Sequence, residues 1–261
     1  MNLSVIIITK NEEELISDCI KSISFADEVI VIDSESTDKT VDIARKLGAQ
    51  IVTKKFTNYA DQRATALKHA KGKWLLYIDA DERASEKLHE EIVEVVNRKP
   101  QTANGTDSIV AFRIPRQNYY LGKNKWPHIE YLERLFLKEK LVGWEGAVHE
   151  HAIYTGEVGT LQNPIIHYTH RNLELMTAKT NQWSEVEADM LLASHHPLMN
   201  ELRFIRIMLT KFFDSYIKQG GWKIGTPGLI ESLYQAYSYF IIYAKLWEKQ
   251  KDHKNNKTLK Q

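Results

Sequence analysis

Hydrophobic positions in the first third of the chain fall into continuous runs rather than alternating ones, the pattern of strands buried on both faces of a parallel sheet. Leu3 to Thr9 is the first run, and it stops at Lys10-Asn11-Glu12-Glu13. Leu15, Ile16, Cys19, Ile20 and Ile23 follow at helical spacing. Val29 to Ile32 is a second strand, ended by Asp33-Ser34-Glu35-Ser36-Thr37-Asp38. Thr37 or Asp38 is placed to cap the next helix, whose apolar face is Val41, Ile43, Ala44 and Leu47 and whose stop is Gly48. Gln50 to Thr53 is a third strand, a helix covers Tyr59 to Ala70, and a fourth strand from Trp74 runs into Asp79-Ala80-Asp81. Another helix follows from about Ser85 to Asn97. Such alternation with short connections predicts a mainly parallel sheet with right-handed crossovers.

Beyond Asn97 the pattern loosens. Lys99 to Asp107 reads as a surface loop, and strand-like pieces cover Ser108 to Pro115, Glu133 to Leu137 and Pro164 to Tyr168. Gln117 to His128, aromatic and basic with Gly122 and Pro127 as breakers, reads as a mobile wall over a polar ligand. From Leu173 the pattern is helical. Leu202, Ile205, Leu209, Phe212, Phe213 and Tyr216 recur at spacings of three and four, with Arg203, Arg206, Lys211 and Lys218 between them. A last helix is expected from Leu229 to about Lys251, then a polar, frayed tail.

Composition narrows the class. At 261 residues and 43% apolar content the chain can bury a substantial core. A net charge of +1 gives no global field for nucleic acid. The sign is uneven: from Asn200 onward, 11 Lys and Arg against 5 Asp and Glu give +6 and leave −5 for the first 199 residues. The single Cys19 excludes an intramolecular disulfide and fits a reducing compartment, and among apolar neighbours it is a poor nucleophile. No secretory leader or membrane-spanning run of about 18 apolar residues is evident, so the expected location is cytoplasmic.

The candidate chemistry lies at strand ends, where ligands bind in parallel sheets. Thr9-Asn11-Glu12, Asp33-Ser34-Glu35 and Asp79-Asp81 are three polar clusters after three apolar runs. Residues i and i+2 of a strand point to one side, so an extended backbone through Ala80 would aim both carboxylates at one hard divalent cation, Mg²⁺ or Mn²⁺. No Gly-x-Gly-x-x-Gly follows the first strand and no phosphate-cradling Gly-x-x-x-x-Gly-Lys is present, so diphosphate neutralisation falls to metal and side chains. Trp144 to His151 forms a second dense cluster of titratable and aromatic groups.

Val5 to Glu12, Val31 to Thr40 and Tyr77 to Arg83 resemble the family 2 glycosyltransferases of the GT-A fold, nearest to the lipopolysaccharide-core β-1,4-glucosyltransferase-like branch. Tyr59 to Arg63, Arg134-Leu135-Phe136, Val148-His149-Glu150 and Tyr243 to Glu248 extend the similarity over nearly the whole chain. The resemblance implies an α/β GT-A domain over 1–170, with nucleotide and acceptor halves meeting near residue 98, and a helical extension over 171–261. It also implies inverting transfer of a hexose, glucose or a relative, from a UDP-sugar to a hydroxyl of a cell-envelope glycan such as lipopolysaccharide core. On it, Thr9, Asn11, Glu12, Asp33, Arg63 and Asp79 bind the nucleotide, and Asp81, with Asp79 and His149, binds Mg or Mn. The base is Glu150, with Glu145 as runner-up, because the family's Glu-Asp pair is absent. Arg134 stays open between a diphosphate contact and a surface ion pair. Rivals are a nucleotidyltransferase acting on a sugar phosphate and a non-catalytic sugar-nucleotide-binding protein of the same fold. The basic C-terminal helices leave open an anionic membrane surface on the inner face of the plasma membrane, packing on the catalytic domain, or homo-oligomer formation.

Overall fold

Seven consecutive buried residues, Leu3–Thr9, form β1, the strand on which the sheet is built. The computed structural model describes residues 1–98, 109–146 and 150–258, with side chains to Asp252. After β1 come α1 (Ile16–Ser22), β2 (Glu28–Asp33), α2 (Thr40–Lys46), β3 (Gln50–Thr53), α3 (Tyr59–His69), β4 (Trp74–Asp79), β5 (Glu82–Ala84) and α4 (Glu86–Asn97). Then follow β6 (Ile109–Tyr120), β7 (Asn124–Leu137), β8 (Leu141–Glu145), β9 (His151–Tyr154), β10 (Glu157–Thr160) and β11 (Ile165–Tyr168). The helical part comprises α5 (Leu173–Ala193), α6 (Glu201–Phe213) and α7 (Thr226–Thr258).

The sheet has the order β3-β2-β1-β4-β7-β6-β11-β5, with β10 paired to β6 and β8-β9 forming a separate hairpin. β1 to β4 are mutually parallel, while β7 joins β4 antiparallel. Strand order reverses between β1 and β4, the kind of switch point at which open α/β sheets bind ligands. Alternation of side chains through the sheet divides the core in two. Val5, Ile7, Leu76 and Ile78 pack with Ile16, Cys19, Ala44, Leu88 and Ile92 from α1, α2 and α4. Ile6, Ile30, Leu75 and Tyr77 pack with Ala66 of α3 and with Ala70 just beyond its end.

The chain divides into two compact units, one of Met1–Gln117 with Ile129–His167, the other of Asn118–His128 with Tyr168–Gln261. In the second, α7 packs on both α5 and α6. Thr180 of α5 hydrogen-bonds the Tyr234 and Ser238 hydroxyls, and Lys245 and Lys249 pair with Glu185.

Three expectations are corrected. Gln117 to His128 is no mobile loop: it is the closed end of the β6–β7 hairpin, turning only at Leu121–Lys123. Its Trp126 is 1% exposed and donates from Nε1 to Gln219 Oε1 at 3.1 Å. α7 continues to Thr258, past Lys251 where a frayed tail was expected. Neither Thr37 nor Asp38 is the cap residue of α2: Lys39 stands there, and the Asp38 carboxylate accepts from the Thr40 N–H at 2.9 Å. The predicted Lys99 to Asp107 loop lies outside the described residues.

Candidate active site

Register brings the polar strand ends together. Thr9 lies beside Asp33, and Ile8 beside both Ile32 and Asp79, so the carboxyl ends of β1, β2 and β4 share one edge. The loops beyond β1 and β2 are laced to each other: Asn11 Oδ1 accepts from Thr37 N at 2.8 Å, Ser36 Oγ from Asn11 N at 2.9 Å, and Thr40 Oγ1 from Glu12 N at 2.8 Å. Both loops hold a non-glycine residue in the left-handed region, Asn11 at φ +53° and Glu35 at φ +59°, backbone strain of the kind that clusters at binding sites. Thr9 Oγ1, Asp33 Oδ1 and Arg63 Nη1 are buried without a hydrogen-bond partner among the described residues. Such atoms cost free energy unless a ligand answers them.

The carboxylates do not meet at one point. β4 stops at Asp79, and Ala80–Asp81 turn the chain back into β5. Asp79 Oδ1 pairs with Arg63 Nη2 at 3.3 Å and Oδ2 with Arg134 Nη2 at 2.8 Å, which commits both oxygens to guanidinium groups. Burial pushes its carboxyl up, but Arg134 and Arg63 outweigh burial and hold it well below the usual carboxylate range. Asp81 Oδ2 instead lies 3.3 Å from His167 Nε2. β11 runs antiparallel to β5 with His167 opposite Glu82, and that register delivers the imidazole to a carboxylate 86 positions earlier.

Below Asp79 an ion-pair chain continues. Arg134 reaches Glu82 Oε1 at 3.2 Å, Arg116 meets the same oxygen at 3.3 Å, and Arg116 pairs with Glu130 at 2.6 Å. Glu82 Oε2 also accepts the Asp79 N–H at 2.9 Å. Arg134, open between a diphosphate contact and a surface ion pair, makes no surface pair: it is buried and holds Asp79 and Glu82. In the other direction, Arg63 Nε holds Glu150 Oε1 at 3.0 Å while its guanidinium lies 5.2 Å from the Trp144 ring and 5.6 Å from Tyr77. Tyr77, whose phenol burial pushes up to about 12, donates to the Arg63 carbonyl at 3.3 Å. Cys19 is buried, and burial pushes its thiol upward; it donates to the Asp79 carbonyl.

The structure thus unites Thr9, Asp33, Arg63, Asp79, Asp81 and Glu150 in one unit. Glu145 stands apart on β8, exposed and 3.0 Å from His151. His149 lies outside the described residues. His167 was missed, since one histidine in a short apolar strand has no local signature; only the β5–β11 register shows its partner. Among the described residues no three His, Cys, Asp or Glu side chains converge as a complete metal cage.

A mixed, mostly parallel sheet flanked by helices, with its polar groups at the switch point and a helical C-terminal part, defines the GT-A class. The glycosyl transferase family 2 profile matches residues 4–149, more than half of the chain, and the chain belongs to that family of glycosyltransferases. An uncharacterized glycosyltransferase of Rickettsia prowazekii is 31% identical over 94% of this chain and 86% of its own length. The lipopolysaccharide core biosynthesis glycosyltransferase LpsC of Rhizobium meliloti is 27% identical over 95% and 92%. Among solved structures, the mannosyltransferase PcManGT of Pyrobaculum calidifontis, in complex with GDP-Man and Mn2+, aligns over 95% of this chain and 88% of its own at TM-score 0.54 and 15% identity.

Proposed function

We propose that this glycosyltransferase moves a hexose, with inversion and with a divalent metal, from a UDP-sugar to a hydroxyl of a lipid-linked cell-envelope glycan such as lipopolysaccharide core, acting from the cytoplasm. The observation that carries the reading is the Asp81–His167 pair at the edge where Thr9, Asp33 and Arg63 bury unanswered polar atoms. A carboxylate and an imidazole suit Mg²⁺ or Mn²⁺ when diphosphate oxygens complete the shell, so the donor set fits. When bound, the metal offsets the charge that builds on the leaving diphosphate. LpsC supports the choice of acceptor, and a mannosyltransferase of the same fold with GDP-Man and Mn2+ supports a nucleotide-sugar and metal site.

The remaining roles fall to this chain's own side chains. Asp33 and Thr9 receive the nucleoside, with the loops of Asn11 and Glu12 closing around it. Glu150 accepts the acceptor hydroxyl's proton as that oxygen bonds to the sugar's anomeric carbon and the bond to the β-phosphate breaks, releasing nucleoside diphosphate. Arg63 positions Glu150. Thermal shift with UDP- and GDP-sugars, with and without Mn²⁺, is expected to show metal-dependent stabilisation by UDP-sugars. Asp81→Ala and His167→Ala are each expected to lower sugar transfer on the order of a hundredfold. Transfer and metal-dependent stabilisation that survive both substitutions would remove the site assignment. Release of pyrophosphate instead of UDP would move the chain to nucleotidyl transfer.

A further inference from the structure

In the second unit, α6 carries no buried residue, although eight of its 13 residues are large and apolar. Its inner side is spoken for: Phe204 and Ile207 pack against the cluster of Ala188, Met199 and Leu246, the Phe204 ring lies 5.8 Å from that of Phe240 of α7, and Lys211 Nζ sits 3.9 Å from the centre of the Tyr239 ring. The opposite side is not covered by any part of the described chain. Leu202, Ile205, Leu209 and Phe213, at spacings of three and four, are 78%, 56%, 64% and 50% exposed, and Trp222 just beyond is 53% exposed. On neighbouring α7, Leu229, Leu233, Tyr237, Phe240 and Trp247 form a second exposed stripe. Single exposed apolar residues need no explanation, but two stripes on adjacent helices do.

The charges beside these stripes choose the occupant. Between Leu202 and Ile224 the chain has five cations against one acid, Asp214; Lys211 lies on the inner side of α6 and Lys218 pairs with Asp214 at 2.7 Å, so the positive charge beside the exposed stripe comes from Arg203, Arg206 and Lys223. Cations stand over exposed aromatic rings: Lys223 Nζ is 5.7 Å from the Trp222 ring centre, Lys218 Nζ is 5.8 Å from that of Phe213, and Lys251 Nζ is 4.0 Å from that of Trp247. A second copy seated on this face by two-fold symmetry would set the same cations against themselves. An anionic surface neutralises them and takes up the apolar stripe at once. No helix among the described residues is long and apolar enough to cross a membrane.

We propose that α6 and the turn to Trp222 are the seat of the enzyme on an anionic lipid leaflet, with Leu202, Ile205, Leu209, Phe213 and Trp222 in the acyl boundary and the Arg and Lys heads among lipid phosphates. The lysine and arginine stems lie along the apolar surface while their charges stay at headgroup level. The surface goes beyond the donor reading and stands apart from it, because none of these residues belongs to the sugar-nucleotide site.

The test is sedimentation of the full chain, without donor, with vesicles of phosphatidylcholine alone or with one third phosphatidylglycerol. Binding is expected to the anionic vesicles only, and to weaken as salt is raised. Leu209→Glu with Phe213→Glu is expected to lower the partition coefficient at least about tenfold. Because both side chains are exposed, far-UV circular dichroism and donor-dependent thermal shift should stay unchanged. Arg206→Gln with Lys223→Gln should weaken binding and flatten its salt dependence. Failure to bind anionic vesicles at low salt overturns the proposal. So does a dimer, seen by light scattering, that the double Glu substitution dissolves while vesicle binding persists.

Discussion

At the scale of single residues, Asp79 shows how neighbours outweigh burial. Its two guanidinium partners hold the folded carboxyl below the value of about 3.9 expected in the unfolded chain. A depressed folded value means the pairs contribute stability above the unfolded value and lose it as pH falls through the folded one. Asp79→Asn should therefore destabilise the chain by about 2 kcal/mol near neutral pH, leaving Arg134 to Glu82 and Arg63 to Glu150. The gap between the two proteins should stay level down to about pH 5 and narrow progressively below about pH 4, where the carboxyl of the unfolded chain takes a proton while the folded one, held lower by its guanidinium partners, stays ionised. Urea midpoints measured across that range check the sign. A gap that stays level to the lowest pH at which both fold would mean the ion pairs are not what Asp79 contributes.

At the scale of elements, α3 and α4 are each started by a side chain, whereas α1 and α2 have no side-chain cap. Asn58 accepts from Asp61 N at the head of α3, and Ser85 from Leu88 N at the head of α4. α3 carries Arg63, so its first turn matters to the site. Asn58→Ala is expected to cost about 1 kcal/mol and Asn58→Asp very little, read as a shift of urea midpoint at constant slope. Strands β1, β3 and β4 were legible in the sequence because each is a run of β-branched or apolar residues bounded by polar loops. The parallel half of the sheet and its ligand edge follow from them. Asp33, Asp81 and Thr9 could be singled out because they end such runs. What the sequence withheld was non-local. Gly122 and Pro127 read as breakers, yet they sit in the turn and the second strand of a hairpin whose side chains pack among helices far along the chain. The placement of His167 depends on an antiparallel register, and the separation of Asp79 from Asp81 on a two-residue turn that local apolarity does not encode.

At the scale of the whole molecule, the chain passes between its two units three times, after Gln117, His128 and His167, so β6, β7 and β11 each continue from one to the other. Their hydrophobic cores nevertheless stay separate. The two clusters around β1 and β4 draw only on the first unit, and the cluster of Ala188, Met199 and Leu246 only on the second. Separate cores predict separate opening, since a cooperative unit is a set of residues that bury one another. Trp126 tests the point. It is buried inside the second unit, its ring meets Tyr120 edge-on at 5.0 Å, and a methyl group on Gly221 would press against it at 2.9 Å. Trp126→Ala removes that volume, at a cost of about 3–5 kcal/mol. Hydrogen exchange should then show the amides of α5 and α7 losing protection by about a hundredfold or more while those of β1, β2 and β4 keep theirs. Equal loss in β1 would show that the continuous strands, not the separate cores, set the cooperative unit.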